Sequence, residues 1–201
     1  MTIRIELATG AAIAPYLDAL AALRIAVFRE YPYLYEGSLD YERHYLASYA
    51  SSPASLVVLA LDGSRAVGAS TAMPLVHHSD AVVPPLARAG FAPEAVYYFG
   101  ESVLEPAYRG RGLGARFFDE RERRARELGF TTAAFCAVDR PPDHPQRPRD
   151  YQPPGALWRR HGFVRRPDIV GDFAWRDLGD TGETAKPMVF WIKELPAPHA
   201  G

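Results

Sequence analysis

The stretch EPAYRGRGLGARFF, residues 105–118, decides how this chain folds. Gly110, Gly112 and Gly114 fall at alternate positions, with Arg109 and Arg111 among them. Before it lies AVYYFGESVLE (95–105), an apolar run with strand character. After it lies LGARFFDERERRAREL (113–128), with apolar residues at helical spacing and Gly129 as a closing cap. A helix N-terminus presents backbone N–H groups without partners and a partial positive charge. Glycines let an anion come close to that backbone. Each one also raises the entropic cost of ordering the turn. An anion such as a pyrophosphate therefore explains the run better than a bare turn does, and the two arginines add charge.

Two phosphate-binding patterns can be weighed at once. The P-loop fails, because no Lys-Ser or Lys-Thr follows the last glycine. Gly110-Arg111-Gly112-Leu113-Gly114-Ala115 formally satisfies the dinucleotide fingerprint, and Asp139 ends the next strand where a ribose-binding acid would sit. Against it, Pro106-Ala107-Tyr108-Arg109 separates strand from glycine, and further βα units are missing. A nicotinamide-dependent oxidoreductase is thus the weaker alternative.

Outward from the glycines, TIRIELA (2–8) alternates as a strand, and AAIAPYLDALAALRIAVFREY (11–31) has helical spacing. SLDYERHYLASYA (38–50) begins a second helix with Ser38 as cap. ASLVVLALDG (54–63) and SRAVGASTAMPL (64–75) form a hairpin through Asp62-Gly63, and residues 84–93 form a short helix or loop. FTTAAFCAV (130–138) is a strand, ALWRRHGF (156–163) a short helix, and PMVFWIKEL (187–195) a closing strand. Residues 139–155 hold six prolines and form an irregular connection. The order β-α-α-β-β-β-α-β-α-β predicts one α/β domain over 1–195, with a mixed, largely antiparallel sheet, a βαβ unit in its second half and a tail over 196–201.

Composition narrows the function classes. The 201 residues are 48% hydrophobic and 23% charged, with 23 basic against 24 acidic side chains, so no net field points to nucleic acid or an anionic membrane. The single cysteine, Cys136, excludes an intramolecular disulfide and suits a reducing cytoplasm. It lies in the apolar run TTAAFCAV and reads as a buried hydrophobe rather than a nucleophile. The N-terminus lacks a secretory apolar core, and no apolar run is expected to reach the ~18 residues a bilayer needs. His77-His78 has no second cluster at metal-ligand spacing, so no metal is expected. Asp119/Arg123, Glu120/Arg124 and Glu122/Arg126 read as i,i+4 pairs on a solvated helix face.

VLEPAYRGRGLGARFF (103–118) resembles motif A of the GNAT superfamily, the acyl-CoA-dependent N-acetyltransferases. Its Arg/Gln-x-x-Gly-x-Gly/Ala hallmark is met by Arg109, Gly112 and Gly114, after Val103-Leu104-Glu105-Pro106 and Tyr108. LWRRHGF (157–163) resembles the end of its motif B, with Gly162-Phe163 closing a short helix. The resemblance implies a sheet with a splayed central strand pair and acetyl-CoA as acyl donor. It implies that the amides of Arg109, Gly110, Arg111, Gly112, Leu113, Gly114 and Ala115 cradle the pyrophosphate. The strand end Val103, Leu104 and Glu105 would pair with the pantetheine arm, placing the thioester beside residues 100–103. The expected acceptor is a small-molecule amine, with a protein lysine or N-terminus as the alternative, and a homodimer is common in the family.

Acetyl transfer needs a neutral amine, and an alkyl ammonium titrates near ~10.4. Glu101, in the apolar strand YYFGESV, is the leading general base; otherwise it is a structural carboxylate or holds the substrate cation. A backbone N–H near Val103 or Leu104 would stabilise the oxyanion. The tyrosine that many relatives place in motif B is Trp158 here, which donates no useful proton. Tyr151 is the candidate acid, although a thiol near ~8.5 departs without one. The same tryptophan keeps open a non-catalytic acyl-CoA sensor. Tyr31, Tyr33, Tyr35, Tyr41 and Tyr45 either shape the acceptor pocket or pack over the core. The connection 139–155 is expected to fold over that pocket through Tyr151 and Asp143.

Overall fold

The computed structural model describes residues 3–78 and 81–196. Seven strands form one sheet: β1 (Arg4–Ala8), β2 (Leu56–Asp62), β3 (Arg65–Pro74), β4 (Val96–Leu104), β5 (Thr132–Val138), β6 (Val164–Trp175) and β7 (Thr184–Glu194). Their order is β1-β2-β3-β4-β5-β7-β6. Every neighbouring pair is antiparallel except β4 and β5. One parallel pair is too few for a doubly wound dinucleotide fold, which needs a mostly parallel sheet. The glycine run therefore does not serve a nicotinamide cofactor in that manner.

The parallel pair is where the sheet opens. β4 meets β5 only through Val96, Tyr97 and Tyr98, opposite Thr132, Ala133 and Ala134. Beyond Tyr98, β4 stays with β3 as far as Leu104, and β5 stays with β7 as far as Val138. A β-bulge lies just beyond the point of divergence. Phe99 faces Ala72 and Ser102 faces Ser70, so Gly100 and Glu101 together oppose Thr71. Residue 100 must be glycine, because a Cβ there would lie 2.3 Å from Tyr49 Oη and 2.4 Å from Thr71 Oγ1.

Helices cover both faces. α1 (Leu17–Phe28) and α2 (Leu39–Ser51) bury Leu20, Leu23, Leu46 and Tyr49 against Val57, Leu59 and Val103. Ser38 caps α2 by accepting from the Tyr41 N–H at 3.4 Å. α3 (Val83–Arg88) lies on the 84–93 segment. On the other face, α4 (Leu113–Glu127) sends Phe118 and Ala125 against Phe99 and Phe135. It ends at Gly129, φ +81°, where Phe130 N–H reaches Ala125 O at 3.0 Å. α5 (Gly155–Arg160) closes the same way at Gly162, with Phe163 N–H on Trp158 O at 3.1 Å.

Three expectations need correction. β6 was not anticipated. Pro167 and six charged residues in VRRPDIVGDFAWRD hide it, and an edge strand tolerates both. Its pairing with β7 slips between Arg166 and Val170, around that proline. Gly10–Phe28 is a helical run of 19 residues with mean hydropathy 1.6, long and apolar enough by composition to cross a membrane. Its Ile13, Leu20, Ala21 and Leu23 are buried in the core with β2 and β3 instead. The charged face of α4 is only partly solvated: Glu122 pairs with Arg126 at 3.3 Å as expected, but Arg123 turns to Glu120 and Glu127, and Arg121 and Glu122 are buried. The expected tail lies outside the described residues except for Pro196.

Candidate active site

The opening between β4 and β5 becomes a cavity of about 1180 Å³ on the α4 side. Leu104, Arg109, Gly110, Gly112, Gly114 and Ala115 line it; Val103, Glu105, Arg111 and Leu113 do not. Gly110 (φ +74°) and Gly112 (φ +80°) hold the left-handed backbone, and nothing lies within 4 Å of where a Cβ would project. A ligand can thus reach the main chain directly. Gly112 is the N-cap of α4, whose first turn has no side-chain cap, so its amides stay available to an anion.

The absent partners have structural reasons. Val103 is fully buried and pairs with Ala69. Glu105 gives its N–H to Val67 O at 3.0 Å and its carboxylate to Arg65. Arg111 folds back onto Ala107 O at 2.9 Å, and Leu113 anchors α4 in the core. The N–H groups of Glu101 and Glu105 point to β3 (Thr71 Oγ1 at 3.3 Å, Val67 O at 3.0 Å), so strand alternation turns those of Ser102 and Leu104 to the open edge. Between the two oxyanion donors considered, Leu104 faces the opening. Its carbonyl there accepts from Arg109 Nε at 3.0 Å, and Arg109 Nη1 pairs with Glu30 at 2.8 Å.

The cavity is far more basic than the glycine motif suggests. Arg159, Arg160 and Arg165 line it, with Asp139 paired to Arg165 at 2.9 Å. Arg121 also lines it, 2% exposed, its guanidinium over Phe99 (4.5 Å) and Phe118 (4.8 Å) and donating to Ser102 Oγ at 2.9 Å. Burial pushes Arg121 down to about 9, partly offset by Glu101. Neither group was singled out from sequence. LWRRHGF and VRR hold the first three, but Arg121 is indistinguishable there from its solvated neighbours.

A second cavity of about 320 Å³ lies on the α1/α2 side, with Tyr33, Tyr35, Tyr41 and Tyr45 in its wall. Glu101 lines this one, 7% exposed. Arg24 Nη1 holds Glu101 Oε2 at 2.7 Å, Tyr45 Oη donates to the same oxygen at 3.3 Å, and Oε1 has no hydrogen-bond partner. Arg24 also pairs with the fully buried Glu42 and stacks on Tyr45 at 4.4 Å. His78 in the same wall is pushed down to about 4 by burial and by Arg24, so the ring is neutral at physiological pH.

Phe28, Tyr33, Gly100 and Cys136 line both cavities, so the two meet across the open edge of β4. Burial pushes the Cys136 thiol up to about 12, which removes it as a nucleophile; Tyr98 Oη lies 3.1 Å from its sulfur. Tyr151 lines the larger cavity, edge-on to Tyr31 at 4.8 Å, with its phenol raised by burial. Asp143 is exposed and lines neither cavity. The proline-rich connection therefore borders the larger cavity rather than covering the smaller one. It still braces the smaller one, since Arg140 donates to Pro32 O and Tyr33 O, both at 2.9 Å. Trp158 packs edge-on to Trp191 at 4.9 Å. Among the described residues, no group of three or more His, Cys, Asp or Glu side chains is placed to hold a metal.

The model of the acetyltransferase (GNAT) family matches residues 20–148. No curated protein matches the chain. Among solved structures, it resembles a ribosomal-protein-alanine N-acetyltransferase from Brucella melitensis, with TM-score 0.62, 17% identity, and 96% and 99% of the two chains covered. An N-acetyltransferase from Staphylococcus aureus Mu50 gives 0.61 at 13% identity, covering 98% and 100%. An aminoglycoside 6'-N-acetyltransferase complexed with coenzyme A gives 0.59 at 18% identity, covering 98% and 99%. At these identities the likeness is one of fold.

Proposed function

Because the chain belongs to the GNAT acetyltransferase family, we propose that it transfers an acetyl group from acetyl-CoA to the primary amine of a small molecule, by direct attack. The observation that carries this is the meeting of two cavities at Gly100 and Cys136, one basic and glycine-lined, the other aromatic and acidic. The amides of the first α4 turn, with Arg109, would hold the pyrophosphate. The free edge at Ser102 and Leu104 would pair with the pantetheine arm, and the Leu104 N–H would meet the developing oxyanion. These donors suit acetyl-CoA by chemistry: the site offers N–H groups and cations to phosphates and a strand edge to amides.

The amine would enter from the smaller cavity, where Glu101 Oε1 takes up the proton that attack releases. Tyr33 is the tyrosine that lines both cavities, and its phenol is kept protonated by burial and by nearby Cys136 and Tyr151. It takes the role of the motif B tyrosine, whose position Trp158 fills here, as hydrogen-bond donor to the departing sulfur, with Tyr151 as the second candidate. The lone, buried cysteine suits a cytoplasmic enzyme.

The test is release of free thiol from acetyl-CoA across an amine panel. Amine-dependent thiol release with a matching acetylated product supports transfer, and Glu101→Gln should lower kcat by roughly 10²-fold. Acetyl-CoA binding without turnover on any amine would leave the acyl-CoA sensor in its place.

A further inference from the structure

We propose that the smaller cavity selects a monocationic amine with an aromatic body, an arylalkylamine rather than an amino acid, a polyamine or an aminosugar. This rests on the acetyl-transfer assignment and names its acceptor class.

Charge decides first. The ionic groups of the wall are Arg24 from α1, Glu101 from β4 and Asp172 from β6, and His78 is neutral. Arg24 is shared between Glu101 and the buried Glu42, so that cluster keeps one negative charge in excess, and Asp172 adds a second from an exposed position. A single ammonium is drawn in and finds a carboxylate. An acceptor with its own carboxylate or phosphinate also needs a cation, but the guanidinium in the wall already has two carboxylates. A second ammonium would find only the exposed Asp172 and a third no acid in the wall, and an unpaired buried charge is costly.

Shape and surface decide next. About 320 Å³ is at the low end of small-molecule sites, which run from roughly 300 to 1,000 Å³. That suits one ring system with a short arm and excludes an oligosaccharide. Tyr33, Tyr98, Phe173 and Trp175 give the cavity flat apolar walls, and aromatic rings prefer offset or edge-on partners of their own kind. The arm must be short, because Glu101 and the shared residue Gly100 are adjacent in β4.

The experiment compares 2-phenylethylamine with three acceptors: butylamine, which lacks the ring; phenylalanine, which adds a carboxylate; and spermidine. Wild-type protein and acetyl-CoA are used, with thiol release as readout and acetyl-CoA binding measured separately by calorimetry. Phenylethylamine should exceed butylamine at least tenfold in kcat/KM, and phenylalanine and spermidine about a hundredfold. Glu42→Gln frees Arg24 from one carboxylate, so it should narrow the gap between phenylalanine and phenylethylamine at least tenfold. Asp172→Asn should raise amine KM several-fold with kcat unchanged. If a ring-free, polycationic or carboxylated amine is the best acceptor while acetyl-CoA binds and turns over, the class is wrong and the transfer assignment stands. If acetyl-CoA does not bind, both are wrong.

Discussion

Arg24→Met removes the only cation within ion-pair distance of Glu42 and Glu101 among the described residues. The Arg24 side chain is 11% exposed, that of Glu42 0% and that of Glu101 4%, so Glu42 is left without solvent and Glu101 with only the small cavity beside it. Breaking a buried ion pair from one side costs about 3–5 kcal/mol, because the partner is left charged and unpaired. Two carboxylates are stranded here, so the upper half of that range applies. For a chain of this size each kcal/mol moves Tm by about 2–4 °C, which gives a fall of roughly 8–20 °C. The assay is paired thermal and urea unfolding, with the urea slope checked for constancy. Glu42→Gln made in the Arg24→Met background should recover stability, since it removes one of the stranded charges. Acetyl-CoA affinity should be unchanged, because Arg24 lines only the smaller cavity. A loss below about 1 kcal/mol, or further destabilisation by the second substitution, would refute the charge cluster as described.

Three further expectations follow from the same site. Tyr33→Phe keeps the ring against Phe28 but loses the hydroxyl, so kcat should fall about 10–100-fold, below or within the general-acid range, with acetyl-CoA affinity intact; stopped-flow turnover with calorimetry checks this. If Tyr151→Phe carries the loss instead, Tyr151 is the donor. His78 has a folded pKa of about 4 against an unfolded 6.5, so its contribution is full above pH 6.5 and lost as pH falls toward 4. At ~1.4 kcal/mol per pKa unit this amounts to at most about 3 kcal/mol, and His78→Phe should flatten that part of the stability–pH curve in urea titrations. Arg121→Met should weaken acetyl-CoA turnover with little loss of Tm in thermal unfolding, since a buried guanidinium pushed down to about 9 is costly to keep and its loss offsets the hydrogen bonds to Ser102 and Phe117 that go with it.

Much of the fold was legible because the glycine run is a local signal: its positive-φ residues and the helix after them depend on neighbours in sequence. The hairpin at Asp62-Gly63, the Ser38 cap and the Gly129 closure are local in the same sense. β6 escaped because its inward residues, Ile169 and Gly171, are sparse and interrupted by charge, and an edge strand pairs on one side only. The site was legible where backbone conformation defines it and opaque where tertiary proximity does. Five tyrosines between residues 31 and 45 look alike in the sequence, and only the path of the chain past Arg140 puts Tyr33 beside both cavities. Arg24 gave no sign of Glu101, 77 positions away, nor Arg121 of Ser102. The β-bulge that turns Glu101 toward α1 rather than along the open edge is set by β3, not by the YYFGESV pattern.

The most direct measurement is calorimetric titration of acetyl-CoA into the wild-type protein and Gly112→Val. Position 112 is open, with φ +80° and nothing within 4 Å of a Cβ, so the variant should fold, with local strain and a branched side chain where phosphate oxygens approach. The account predicts one acetyl-CoA per chain for the wild type, no measurable NAD binding, and at least about tenfold weaker acetyl-CoA binding for the variant, equivalent to ~1.4 kcal/mol. A folded wild type that does not bind acetyl-CoA, or a folded Gly112→Val that binds it equally well, would contradict the glycine loop as its phosphate cradle.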